Sequence, residues 1–203
     1  ADVEALLTLK ATGSEQTIAE MLQEKVLTIG ENIQIRRFER MEGACVAYVH
    51  AGGKIGVLVN FDTDLAAKPE FVAYGKDVAM QIAALRPQYT SRDEVSADYI
   101  EHEKEILMAQ IQNDPKESQK PEKVIQGMIQ GRINKELKEI CLLDQVYVKA
   151  EDGKQVVSKY VEEVAKANNA KIKIKKFVRF ETGEGLEKKN EDFAAEVAAQ
   201  MNA

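Results

Sequence analysis

The chain has 203 residues, 44% of them apolar and 31% charged, which allows a sizeable core in one or two domains and argues against wholesale disorder. Its formal net charge of −6 argues against general nucleic-acid binding, because neutralising phosphates requires surplus Lys and Arg. No apolar run approaches the length of a membrane span and no signal-peptide core follows the N-terminus; the direct entry from Ala1 into DVEALLTLK reads as a processed, trimmed or truncated start.

Residues 14 to 29 have the spacing of an amphipathic helix. Ser14 serves as its cap, and Ile18, Met21, Leu22, Val26 and Ile29 recur at three- and four-residue steps. Gly30 supplies the stop, since glycine tolerates the left-handed conformation that ends helices. Ile33 and Ile35 then alternate with Asn32 and Gln34 as in a half-buried strand, and Phe38 breaks that phase as a bulge would. ACVAYVH and KIGVLVNF flank AGG, which predicts a β-hairpin with Ile55, Val57, Val59 and Phe61 on one face of its second strand. From Pro69 a helix follows, with Phe71, Val78, Ile82 and Leu85 as its apolar stripe and Arg86-Pro87 as its end.

Residues 91 to 140 differ in character. SRDEVSADYIEHEKEILMAQIQ carries Ile100, Leu107 and Ile111 on a narrow stripe, NDPKESQKP is a polar break, and EKVIQGMIQGRINKELKEI resumes with Ile125, Met128, Ile129, Ile133, Leu137 and Ile140. Two charged helices around a short break predict an antiparallel helical hairpin of coiled-coil type, each arm reaching roughly 25 Å. LLDQVYVK reads as extended, and Val157, Tyr160, Val161 and Val164 mark a helix ending near Asn168. In AKIKIKKFVRFE, Ile172, Ile174, Val178 and Phe180 are expected on one face, with Lys171, Lys173, Lys175 and Arg179 on the other. After Gly183 and Gly185, Asn190 caps a final helix carrying Phe193 and Val197. The fold class expected is α+β, an antiparallel sheet packed with helices plus the inserted helical hairpin. The domain reading is a core part over 1–91, the hairpin over 92–140, and a return to the core with a C-terminal helical module over 141–203.

The residues that carry chemistry are few. Cys45 and Cys141 lie far apart in no metal-type spacing and read as two reduced, buried thiols, which with no sign of export points to a cytoplasmic setting. Gly183-Glu184-Gly185 begins like a phosphate-binding fingerprint but has Lys188 where the third glycine belongs, and so reads as a turn. Asp62-Thr63-Asp64 begins like a calcium loop but continues into Leu65, Ala66 and Ala67, without the oxygens or glycine that loop needs. His50 and His102 are the only histidines and sit in separate elements, so no metal site, cofactor site or catalytic constellation is expected. His102 reads as solvent-facing in a charged helix, and His50, beside Ala51-Gly52-Gly53, as a candidate surface contact. Arg36, Arg37 and Arg40 form a basic cluster without aromatic interleaving, for which pairing with Glu39 or Glu42 is the reading. The pattern favours a protein that works by presenting surfaces.

Five stretches in order, IGENIQIRRF, YVHAGGKIGVLV, DVAMQIAALRP, IQGRINKELKEICLLDQVYVK and KFVRFETGEGLEKKNEDFAAEVAAQ, resemble bacterial elongation factor Ts. The resemblance implies a nucleotide exchange factor for the translational GTPase elongation factor Tu that promotes GDP release during protein synthesis, with no enzymatic activity or cofactor of its own. It places partner contacts at Ile29 and Gly30, at His50, at Val148 and Lys149 with their neighbour Tyr147, and in the final helix around Phe193 and Val197. It covers the family's C-terminal two-thirds: the family's N-terminal helical domain and the first half of its core, with a Thr-Asp-Phe-Val wedge, have no counterpart here. Asp62-Thr63-Asp64-Leu65 follows GVLVNF and carries Leu65 in place of the aromatic, so the wedge role is not assigned to it. The competing reading is a structural, self-association module that acts through its helical hairpin without exchange activity; a homodimer would form through the hairpin or the core, and neither reading involves direct nucleic-acid or membrane contact.

Overall fold

Thr17 and Glu20 start the clearest helix of the N-terminal stretch. The Thr17 hydroxyl accepts the Glu20 N–H at 3.2 Å, and the Glu20 carboxylate accepts the Thr17 N–H at 2.7 Å, so each satisfies an amide that the first turn leaves without a partner. The computed structural model describes residues 2–186, in two compact units divided between Glu42 and Gly43. In the first unit, α1 spans Val3–Thr8, capped by Asp2, and was not anticipated from the sequence; α2 spans Ile18–Ile29. The cap is therefore Thr17 and not Ser14, whose hydroxyl instead accepts the Gln16 N–H at 3.1 Å in the turn before the helix. Gly30 ends α2 in the left-handed region (φ 79°), with its N–H on the Val26 carbonyl at 2.8 Å. The strand expected through residues 33 to 38 is not formed. Alternation gives a chain two faces, but a strand also needs hydrogen bonds to a neighbouring backbone edge, and among the described residues the sheet is formed by strands of the second unit, with residues 33 to 38 in no ladder. Arg40 and Glu42 pair at 2.8 Å on the surface.

The second unit is built on an antiparallel sheet of order β1-β2-β3, with β1 at Ala44–His50, β2 at Ile55–Thr63 and β3 at Ile172–Glu181. The predicted hairpin is present, its tip a single tight turn over Ala51–Gly53. Val46, Val57, Val59, Phe61 and Ile174 are buried on one face, under α3 (Pro69–Leu85) and α6 (Val157–Ala167). Phe61 and Phe71 meet edge to face at 5.2 Å. Gly75 lets α3 approach β1 closely: a Cβ there would stand 2.4 Å from Val46 Cγ2. Phe71, Val78 and Ile82 are buried as predicted, whereas Leu85, on the last turn, remains 45% exposed.

β3 departs from the expected alternation. Phe61 pairs with Ile174 but Asn60 pairs with Lys176, which leaves Lys175 as one extra residue, a β-bulge. Without it, Lys176 would stand opposite Val59, which is fully buried. The bulge keeps Lys175 and Lys176 both exposed and moves Phe177 onto the helix-covered face, where it packs against the core. Val178 and Phe180 therefore face away from Ile174, and Arg179 turns inward, with its guanidinium on the Ala83 carbonyl at 3.3 Å and on Glu181 at 2.8 Å.

The helices α4 (Ala97–Asn113) and α5 (Glu122–Ile140) share a second core: Ile111, Ile129, Ile133, Leu137 and Cys141, flanked by Ile100, Leu107, Ile125 and Met128. Tyr99, in the first turn of α4, donates to Glu136 near the end of α5, so the two helices run back along one another. Arg132 holds Glu117 of the connection at 2.7 and 2.9 Å. At the base the outgoing and returning chains are tied together: Tyr89 N–H to the Ile140 carbonyl at 3.1 Å, Leu142 N–H to the Tyr89 carbonyl at 2.9 Å, and Arg92 to Asp144 at 3.0 Å. Leu142–Asp144 then form a single helical turn where an extended run was expected. The helix expected around Phe193 and Val197 lies outside the described residues.

Candidate functional site

Asp77 and Gln81 stand one turn apart on α3, so both side chains leave the helix on the same side. They grip the segment that follows α5. Gln81 is fully buried; its amide nitrogen donates to the Val146 carbonyl at 3.0 Å and to the Gln145 side-chain oxygen at 3.1 Å, and its own oxygen accepts the Val148 N–H at 2.8 Å. Gln145 in turn donates to the Glu139 carbonyl in the last turn of α5 at 2.6 Å. On the other side of the segment, Tyr147 N–H donates to the Gln155 carbonyl at 2.8 Å.

Asp77 anchors the side chains around that segment. One carboxylate oxygen takes the Lys149 ammonium at 2.6 Å, and the other accepts the Tyr160 hydroxyl at 3.0 Å. The ring of Tyr160 lies on that of Tyr147, centroids 4.2 Å apart. The Asp77 hydrogen bond pushes the Lys149 ammonium pKa up. Burial, then the neighbouring Tyr147 and Asp77, push the Tyr160 phenol up, and burial does the same to Tyr147.

The sequence-derived contact residues in this unit fall into two groups by exposure. Val148 is 45% exposed, and the Lys149 and His50 side chains are exposed. Tyr147 is buried to 6% exposure and acts as the pillar beneath Val148 and Lys149. His50 ends β1 on the helix-covered side of the sheet, in the row Ala44, Val46, Tyr48, and its Nδ1 lies 2.9 Å from the Tyr48 hydroxyl. Ile29 (57% exposed) and Gly30 (exposed) belong to the first unit, at the end of α2. Phe193 and Val197 lie outside the described residues.

The chemistry available is that of recognition: a cation held by a carboxylate, an imidazole against a phenol, and an exposed valine. Among the described residues, no group of three or more His, Cys, Asp and Glu side chains could hold a metal ion. Cys45 and Cys141 are free thiols, and burial pushes the Cys141 thiol pKa up, away from the reactive thiolate. No described helix is long and apolar enough to cross a membrane. Sequence reasoning missed Asp77 and Gln81. The one local sign of Gln81 was an amide between Val78 and Ile82, on the stripe that α3 buries.

The model of the family Elongation factor TS matches residues 1–184. Elongation factor Ts of Syntrophotalea carbinolica is 46% identical over 202 residues, 98% of this chain and 65% of the relative. That of Clostridioides difficile is 48% identical over 187 residues, 91% of this chain and 59% of the relative, and that of Desulforamulus reducens 50% over 165 residues, 80% and 73%. The chain thus spans about three-fifths to three-quarters of the length of these relatives. A family match over residues 1–184, together with near-half identity along most of the chain, carries one conclusion: the chain belongs to the elongation factor Ts family.

Proposed function

We propose that the chain is a docking body for elongation factor Tu, and that it promotes release of GDP during protein synthesis by favouring a partner conformation with weakened nucleotide contacts. It makes and breaks no covalent bond itself. The contacts in this reading are Ile29 and Gly30 in the first unit, His50, Val148 and Lys149 in the second with Tyr147 beneath them, and Phe193 and Val197 near the C-terminus. In organisation, a core part over 1–91 and a return over 141–203 would hold a helical insert over 92–140. The observation that carries the reading is the exposure of His50, beside Tyr48 at the end of β1, and of Val148 and Lys149, on the segment held by Gln81 and Asp77, in a chain of the elongation factor Ts family.

Linkage fixes how such a body acts. A protein that weakens GDP binding must itself bind more weakly, by the same factor, to the GDP-loaded partner; typical couplings of about 1–3 kcal/mol correspond to roughly 5–150-fold. The test is to titrate the chain into nucleotide-free and GDP-loaded elongation factor Tu and to follow release of labelled GDP beside a full-length relative. Tighter binding to the nucleotide-free form and faster release of labelled GDP are expected. No association at high micromolar concentration would overturn the proposal.

A further inference from the structure

We propose that Gln81 is a positioning residue: its buried side-chain amide stands in for a neighbouring strand and sets the 146–148 backbone so that Val148 and Lys149 are presented to the partner. The proposal rests on the reading that these two residues meet elongation factor Tu.

The geometry is that of one rung of a parallel ladder. In a parallel sheet, a residue on one strand donates to the carbonyl before its opposite number and accepts from the N–H after it. The Gln81 amide does the same around Tyr147, donating to the Val146 carbonyl at 3.0 Å and accepting the Val148 N–H at 2.8 Å. The side chains alternate accordingly: Val146 and Val148 are each 45% exposed, and Tyr147 between them is buried. One side of the segment is paired with backbone, in an isolated antiparallel bridge of Val146 with Val156 in which Val157 N–H meets the Gln145 carbonyl at 3.0 Å; on the other side, where no described strand runs, the Gln81 amide takes the place of one. The second amide hydrogen goes to Gln145, so both donors and the acceptor are used. A buried amide costs desolvation that a leucine would avoid. What the glutamine supplies is a fixed backbone, and Asp77, one turn earlier, then fixes the Lys149 side chain from the same helix.

The experiment uses the whole chain. In the unaltered protein, hydrogen exchange followed by NMR should find the Val148 amide protected, although its side chain is exposed; an unprotected Val148 amide overturns the proposal before any variant is made. Gln81→Met, which keeps the length and deletes the amide with its three hydrogen bonds, should speed Val148 exchange and weaken association with nucleotide-free elongation factor Tu, each by roughly tenfold or more, tenfold being the effect of losing one hydrogen bond of ordinary strength. Val59→Ala, a core change elsewhere, serves as the stability control and should lower Tm without weakening association. Val148→Asp and Lys149→Glu probe the underlying reading. If these two leave association unchanged, the segment is no contact and the reading falls, and the proposal with it. If they weaken association while Gln81→Met speeds exchange and leaves association intact, the positioning proposal alone is overturned.

Discussion

Tyr160 of α6 donates its hydroxyl hydrogen to Asp77 of α3 at 3.0 Å, and the same carboxylate holds Lys149 at 2.6 Å through its other oxygen. A single acidic side chain therefore joins two helices and the segment after α5. Tyr160→Phe keeps the stack on Tyr147 and deletes the hydroxyl, with its bond to Asp77 and its interaction with the Tyr147 hydroxyl. Stability at neutral pH should fall by about 1.5–3 kcal/mol, the usual worth of a hydrogen bond to a charged group, read as a lower Tm in a thermal melt. An unchanged Tm would mean that water replaces the bond at no cost.

The same tyrosines set an alkaline limit. Tyr160 and Tyr147 hold their protons above the ordinary phenolic value of 10.0, so above that pH the unfolded chain releases protons that the folded chain retains. The unfolded state then binds fewer protons than the folded one, and stability falls as pH rises. The contribution is intact below pH 10.0 and is lost progressively above it. Lys149, raised by Asp77, acts in the same direction above 10.5 and remains in the variant. Urea midpoints at pH 9, 10 and 11 should decline more steeply in the unaltered chain than in Tyr160→Phe; parallel declines would assign the alkaline loss to other groups.

His50 is exposed at the end of β1 and bonded only to Tyr48 among the described side chains, so its removal should leave the fold alone. On the proposed docking to elongation factor Tu, His50→Ala is expected to weaken association with its nucleotide-free form by roughly fivefold or more, the loss of a contact worth about 1 kcal/mol, with Tm unchanged. Isothermal titration calorimetry reads this directly, and an unchanged Kd would remove His50 from the contact surface.

Two glycines should respond to alanine with opposite signs. At Gly75 the new Cβ would lie 2.4 Å from Val46 Cγ2, so α3 and β1 must separate, at a cost of about 1–3 kcal/mol. At Gly131 in α5 nothing lies within 4 Å, and alanine should stabilise the helix by about 0.5–1 kcal/mol. Chemical denaturation of the two variants side by side checks both signs.

Thr17→Ala removes one half of the reciprocal cap on α2 and should cost the first unit about 1 kcal/mol. Faster hydrogen exchange of the amides at Glu20 and Met21 reads this locally, and Ser14→Ala serves as the contrast, with little effect on those amides.

How much the sequence revealed depends on how local each determinant was. The β1–β2 hairpin, the buried stripe of α3, the apolar faces of α4 and α5, and the stop at Gly30 were all legible, because each is set by residues within a few positions of one another. The choice between Ser14 and Thr17 was legible too and was misread: only Thr17 has a glutamate three residues on, able to return the hydrogen bond. Residues 33 to 38 have a strand's alternation, but pairing depends on an edge that alternation cannot report. The grip of Asp77 and Gln81 on residues 145–149 joins positions 64 to 72 apart in the chain, and no short-range pattern encodes it.

The bulge in β3 has a consequence for how this chain tolerates changes in length. Losing Lys175 would leave KIKIKFVRF, in which Ile172, Ile174, Phe177 and Arg179 still project toward the helices and every other remaining side chain keeps its side. Losing Phe177 instead would carry Val178 and Phe180 inward and turn Arg179 out, away from Ala83. Along this strand, a single-codon deletion is conservative at the doubled lysine and disruptive two positions later, an asymmetry set by one unpaired residue.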